Sequence, residues 1–241
     1  MEKITKYKQG FCLKKEDFFD YGISPFAVLR VFNTASSAHA ELLGVGFDDM
    51  LKKKLLWVSM RIKFQILQLP KPDQQLFVVT YPSGKNMLEY DRDFLIVDSF
   101  DNVLIKGVNK FCLIDSTTRR VAKLSEIDAP LLDDQMPCFE GRFLKTDAFE
   151  PEFLADYSYQ ILPDDIDLNG HTNNTIYAKV AQKLFEKETK KLQFFQINFL
   201  KETMLNSRLD VYKKSVENGI DIVGKICEGE TSFSCHVEFE K

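Results

Sequence analysis

Ser24-Pro25-Phe26-Ala27-Val28-Leu29-Arg30-Val31-Phe32 opens a run that stays apolar as far as Leu43-Gly44, and its reading decides the fold. Ser is a favoured N-cap, and Pro at the first helical position gives up an N–H that would have no acceptor within the helix. A long helix is expected. Phe26, Leu29, Phe32, Ala35, Ala40 and Leu43 follow one another along it, and further apolar residues occupy the remaining faces. A helix this apolar has no solvated side, so other elements must wrap around it. The flanking sequence supplies them. Residues 9–14 predict a short strand before the helix, and 56–67, 76–81, 87–97 and 103–114 predict a meander after it, rich in Val, Ile and Phe. Pro70-Lys71-Pro72-Asp73, Pro82-Ser83-Gly84 and Asp98-Ser99-Phe100-Asp101-Asn102 punctuate the strands.

From 125 to 151 the periodicity fails and Pro130, Pro137, Gly141 and Pro151 stand among acidic residues, which marks a connection. The order of elements then repeats. Residues 157–162 predict a strand, 173–187 an amphipathic helix with Ile176, Tyr177, Val180, Ala181, Leu184 and Phe185 on one face, and 192–202, 208–216, 220–227 and 231–239 a second meander. Asn218-Gly219 is a hairpin signal. Two strand–helix–meander units imply an α+β chain with a tandem (double) hotdog fold, each a long central helix wrapped by an antiparallel β-sheet. The expected division is an N-terminal unit over 1–130, a linker over 131–155 and a C-terminal unit over 156–241.

The 241 residues are 44% hydrophobic and 12% aromatic, with 21 Phe, and so can bury a sizeable core. A net charge of −4 argues against nucleic acid as a partner. No apolar run is long enough to insert in a membrane, and the first residues lack the apolar core of a signal peptide, so a cytoplasmic protein is expected. Five scattered cysteines (Cys12, Cys112, Cys138, Cys227, Cys235), none in Cys-x-x-Cys spacing, suit free thiols and imply neither disulfide nor zinc. Dinucleotide, phosphate-loop and Gly-x-Ser-x-Gly patterns are missing, and no metal or other cofactor is implied. His39 and His236 have no partners at informative spacing and are read as structural.

Chemistry concentrates in Asp164-Asp165-Ile166-Asp167-Leu168-Asn169-Gly170-His171-Thr172-Asn173-Asn174, just ahead of the second helix. In an extended stretch Asp167, Asn169 and His171 project to one side. The helix start offers unpaired N–H groups that can stabilise an oxyanion. Asp167 to Asn174 resembles the Asp-x-Asn-x-His-x-Asn-Asn signature of acyl-[acyl-carrier-protein] thioesterases. Ile197-Asn198-Phe199-Leu200-Lys201-Glu202-Thr203 is similar to the strand that ends in that family's catalytic glutamate. Ala38-His39-Ala40-Glu41-Leu42-Leu43-Gly44, Trp57-Val58, Tyr81-Pro82-Ser83-Gly84, 90–94 and Leu113-Ile114-Asp115 extend the resemblance over nearly the whole chain, in the bacterial form without a transit peptide.

The resemblance implies a double hotdog whose second unit is catalytic and whose first shapes the acyl pocket. It implies hydrolysis of fatty acyl-[acyl-carrier-protein] by Asp167, Asn169, His171 and Glu202. Thr203 stands where plant members often carry cysteine, which excludes a cysteine nucleophile there and favours direct attack by water. Before the first helix the corresponding stretch is Asp20-Tyr21-Gly22-Ile23-Ser24, in which Asp20 alone keeps the spacing. Phe26, Leu29, Phe32 and Trp57 are candidate acyl-pocket residues, with ordinary core the competing role for the helical three. Lys52, Lys53, Lys54 and Arg61 are candidate contacts for an acidic carrier protein. Two other readings fit the fold: an acyl-CoA thioesterase, and a non-catalytic acyl-binding module. A duplicated chain supplies both hotdogs itself, so monomer and homodimer are both compatible.

Overall fold

A computed structural model describes residues 6–128, 137–139, 143–144, 146, 149–151, 154–167, 170–226 and 229–241. The chain forms two compact units, one of residues 1–13 and 30–141, the other of 14–29 and 142–241. The segment ahead of the first helix and that helix's first turn therefore belong to the second unit.

The first unit contains β1 (Tyr7–Cys12), then α1 (Pro25–Leu42) from Arg30 onward, α2 (Phe47–Lys52), β4 (Leu55–Ile66), β5 (Gln75–Lys85), β6 (Glu89–Val97), β7 (Val103–Asp115) and the short β8 (Val121–Ala122). Its antiparallel strands are ordered β1-β5-β6-β7-β4, with β8 on β7. Alternate side chains of β6 face α1: Phe94 stacks on Phe32 with ring centroids 4.3 Å apart, and the Arg92 Nη1 lies 2.9 Å from Nδ1 of the fully buried His39. Gly107 is required at the closest approach, because a Cβ there would overlap the Phe32 ring. At the end of α1, Gly44 adopts φ 69° while Gly44 N–H donates to the Glu41 carbonyl and Val45 N–H to that of Ala40, a Schellman stop. The Glu41 carboxylate then accepts from Phe47 N–H and starts α2, a one-and-a-half-turn helix too short to leave a period in the sequence.

The second unit contains β2 (Phe18–Phe19), β3 (Gly22–Ile23), β9 (Tyr157–Gln160), α3 (Asn174–Gln182), β10 (Leu192–Phe199), β11 (Arg208–Val216), β12 (Gly219–Ile226) and β13 (Thr231–Phe239). Its strand order, β9-β11-β12-β13-β10, repeats that of the first unit place for place. Tyr177 and Phe185 pack on Phe233 and on Phe195 and Phe239 of the sheet. The helix expected over 173–187 is regular as far as Gln182 and then tightens into turns that keep Leu184 and Phe185 buried. The hairpin signal is sound, but Val216 pairs with Gly219, so Glu217 and Asn218 form the turn. Gly219 is needed because a Cβ would overlap the carbonyl oxygen of Val237.

The connecting segment is pinned to polar sheet faces. Against the first sheet, Cys138 N–H donates to Asp93 (2.5 Å), and the Lys63 and Lys106 ammoniums lie 4.6 and 4.8 Å from the Phe139 ring centroid. Against the second, Gln196 exchanges hydrogen bonds of 2.8 Å with both backbone groups of Leu144, and Thr146 Oγ1 lies 2.7 Å from Ser234 Oγ. Polar strand residues such as Gln196 and Ser234 are buried because this segment covers them.

Candidate active site

The described residues of the motif, 164–167 and 170–174, dock on the segment after β10. Asp165, 4% exposed, accepts from Tyr159 Oη and Leu162 N–H, both at 2.9 Å, and its carbonyl accepts from Asn173 N–H at 2.8 Å. Burial, then the hydrogen bond to Asp165, pushes the Tyr159 phenol up to about 12. Ile166 pairs with Thr172, and between them Asp167 N–H donates to the His171 carbonyl (2.8 Å) while His171 N–H donates to Asp167 Oδ1 (3.2 Å). Gly170, at φ 78°, lets the loop close. Asp167 thus holds the His171 backbone.

Glu202 reaches the same place from the segment beyond β10. Its Oε2 lies 3.3 Å from His171 Nε2, with the imidazole 20% and the carboxylate side chain 45% exposed. The structure brings together Asp167, His171 and Glu202. Asn169 lies outside the described residues. At the start of α3 the Asn173 side chain caps the helix, accepting from Thr175 N–H at 3.0 Å and Thr175 Oγ1 at 2.8 Å, and the Asn173 carbonyl accepts from Ile176 N–H. Two of the amides that the sequence offered for an oxyanion are therefore taken by the cap. Thr203 is 1% exposed, with its hydroxyl bonded to Tyr177 and Thr172. A nucleophile there would have no access to substrate.

The duplication is visible in the hydrogen bonds. Asp17, 5% exposed, accepts from Lys14 N–H (2.9 Å), and its carbonyl accepts from Ser24 N–H (2.8 Å), as Asp165 does from Leu162 and Asn173. Phe18 pairs with Ile23 as Ile166 pairs with Thr172. This alignment corrects the expectation for Asp20: Asp167 corresponds to Phe19 and His171 to Gly22, and Asp20 sits in the shortened turn. The N-terminal copy lacks both groups.

Two family models match the chain one after the other along the sequence. The acyl-ACP thioesterase N-terminal domain matches residues 7–130, and the acyl-ACP thioesterase C-terminal domain matches residues 152–241. The chain belongs to the acyl-ACP thioesterase family. Similar proteins include the chloroplastic acyl-[acyl-carrier-protein] hydrolase of Cuphea viscosissima, 25% identical over 97% of this chain and 58% of the relative. The chloroplastic oleoyl-acyl carrier protein thioesterase of Coriandrum sativum is 21% identical over 87% of this chain and 62% of the relative. The chain thus spans less than two thirds of these curated relatives. An acyl-ACP thioesterase structure from Bacteroides thetaiotaomicron superposes with a TM-score of 0.85 at 20% identity, covering 98% of each chain. The 12:0-ACP thioesterase from Umbellularia californica gives 0.73 at 20% identity, covering 98% and 97%. These likenesses show the double hotdog fold.

The other residues singled out in this family member fall into two groups. Leu29 and Phe32 are fully buried and Phe26 half-buried. Trp57 donates from Nε1 to the Val45 carbonyl (3.1 Å) and packs on Tyr90 and Phe111, anchoring the small core beneath α2. Lys52, Lys53 and Lys54 are exposed where α2 ends and β4 begins. Leu55 pairs with Asp115 and Ser116 N–H donates to the Lys54 carbonyl (2.9 Å), which brings the turn of Arg119 and Arg120 beside them. Nothing in the spacing of these two basic runs shows that they meet. Arg61 lies within β4, with Nη2 3.6 Å from Glu89 Oε1.

Proposed function

We propose that the protein hydrolyses the thioester of a fatty acyl-[acyl-carrier-protein], releasing free fatty acid and carrier protein. The observation that carries this reading is the His171 Nε2–Glu202 Oε2 approach of 3.3 Å, at a partly exposed position in the unit that matches the family's C-terminal domain. Glu202 takes a proton from water as the water oxygen bonds to the thioester carbon. His171 donates Nε2–H to the carboxylate and orients it, and Asp167 fixes the loop that presents His171. Asn169 is assigned to the forming oxyanion by its place between Asp167 and His171. When the C–S bond breaks, the thiolate leaves with little help, its thiol pKa being about 8.5, and collects the proton held by Glu202.

Phe26, Leu29, Phe32 and Trp57 are assigned to contact with the acyl chain. Lys52, Lys53 and Lys54, joined by Arg119 and Arg120, offer an acidic carrier protein a complementary surface. Arg61, already beside Glu89, contributes less charge to it. Cys12, Cys112, Cys138 and Cys235 are free thiols, which supports a reducing, cytoplasmic setting. Among the described residues no helix is long and apolar enough to cross a membrane.

Thiol release from carrier-protein thioesters over a series of chain lengths, compared with the matching acyl-CoAs, tests this function. Faster turnover of the carrier-protein series is expected. Faster turnover of the CoA series would reassign the donor. Acyl binding without turnover would leave a binding module.

A further inference from the structure

Glu202 and His171 are each followed by a threonine, and the two threonines are bonded to each other. The Thr203 carbonyl accepts from Thr172 N–H at 3.1 Å and from Thr172 Oγ1 at 2.9 Å. Thr203 Oγ1 lies 2.8 Å from Thr172 Oγ1 and 2.9 Å from Tyr177 Oη, and Thr203 N–H donates to Tyr177 Oη at 3.1 Å. Thr203, Thr172 and Tyr177 are 1%, 4% and 3% exposed, so water does not compete for these groups.

The chemistry of the groups dictates the order of protons. A carbonyl oxygen only accepts, so the Thr172 hydroxyl must spend its proton there. It must then accept from Thr203, whose oxygen accepts in turn from Tyr177, and the Tyr177 oxygen receives Thr203 N–H. The result is a one-directional chain of hydrogen bonds from Thr203 N–H to the Thr203 carbonyl, joined into a ring by the Thr203 backbone, whose members polarise one another in a dry setting. Successive side chains of an extended segment point to opposite sides, so burying Thr203 turns Glu202 outward toward His171.

We propose that Thr203 and Tyr177 are positioning residues, which with Thr172 lock the Glu202 segment in register with the His171 segment. The proposal rests on the reading of His171 and Glu202 as the catalytic pair. Misplacement of a reacting group by about 1 Å costs on the order of 100-fold in rate, and this ring sets that distance from behind the pair.

The test compares Thr203→Val, which keeps shape and removes the hydroxyl, with Tyr177→Phe and the conservative Thr203→Ser. Two readouts are used: steady-state hydrolysis of an acyl-carrier-protein thioester, and the ring 15N signals of His171 in the intact protein. Thr203→Val and Tyr177→Phe are expected to lower kcat about 10- to 100-fold with KM changed less than about twofold, and to shift the His171 signals. Thr203→Ser is expected to keep kcat within about threefold and the wild-type spectrum. Wild-type kcat and spectrum in folded Thr203→Val would overturn the proposal, as would equal losses in the Ser and Val variants, which would indicate packing alone. Should the wild-type protein hydrolyse no thioester, the function fails, and the His171 spectra still decide whether the ring positions the pair.

Discussion

Glu202 and His171 come together from segments on opposite sides of α3 and β10, and their partial exposure separates chemistry from stability. Glu202→Gln and His171→Ala are each expected to lower kcat about 100-fold or more. Melting temperature should change little in Glu202→Gln, since its side chain is 45% exposed; a collapse of stability would point to a structural role instead. Asn169→Ala should lower turnover about 100-fold or more if the oxyanion role proposed for it holds, read as kcat on the same substrate. The dense run from Asp164 to Asn174 drew attention to the loop, because acid, amide and imidazole seldom crowd one loop without purpose, whereas Glu202 entered only through the family resemblance of residues 197–203. The loop's supports were not legible. That Asp165 anchors the loop and that Asn173 caps α3 through Thr175 rest on local bonds whose partners no periodicity selects, and that Thr203 binds Thr172 rests on a contact between segments 31 residues apart.

Elements carry their own predictions. In the first sheet, burial resists ionisation of Glu89, but hydrogen bonds from Lys110 and Asn86, with the charges of Lys110 and Arg61, outweigh it and hold the carboxyl below its ordinary value. A depressed folded-state value means stability that is present above the unfolded value, roughly 4.3, and lost as pH falls through the folded one. Urea melts should therefore show Glu89→Gln less stable than wild type by about 1 kcal/mol at pH 7, with the gap closing in acid. A gap that widens in acid would contradict this assignment. Gly107→Ala should cost about 1 to 3 kcal/mol by forcing the Phe32 ring off its place against Phe94, measurable by denaturant melts. Long elements were legible: α1, the two meanders and the Asn218-Gly219 hairpin left clear periods or turn residues, but Pro82-Ser83-Gly84, read as a break, runs on inside β5 and pairs with β6 across a bulge. The short α2 was not, because one and a half turns started by a distant Glu41 carboxylate carry no pattern of their own.

For the whole molecule, the repeat of strand–helix–meander was legible because both sheets need the same order of apolar runs, and the strand orders match place for place. The membership of 14–29 in the second unit was hidden, since it depends on bonds such as Ser24 Oγ to Gln182 at 2.6 Å, far apart in sequence. The meeting of Lys52–Lys54 with Arg119 and Arg120 was hidden for the same reason. Charge reversal at Lys53 and Arg119 together should raise KM for a carrier-protein thioester severalfold at low salt, with less effect near 1 M salt, where the Debye length is about 3 Å, and leave kcat nearly unchanged. An unchanged KM would remove this surface from carrier recognition. The most direct measurement is the rate of thiol release from an acyl-carrier-protein thioester by wild type and by Glu202→Gln. Hydrolysis by wild type, reduced about 100-fold or more in the variant, is the predicted result. Equal rates in the two proteins, or none in either, would contradict catalysis by the His171–Glu202 pair.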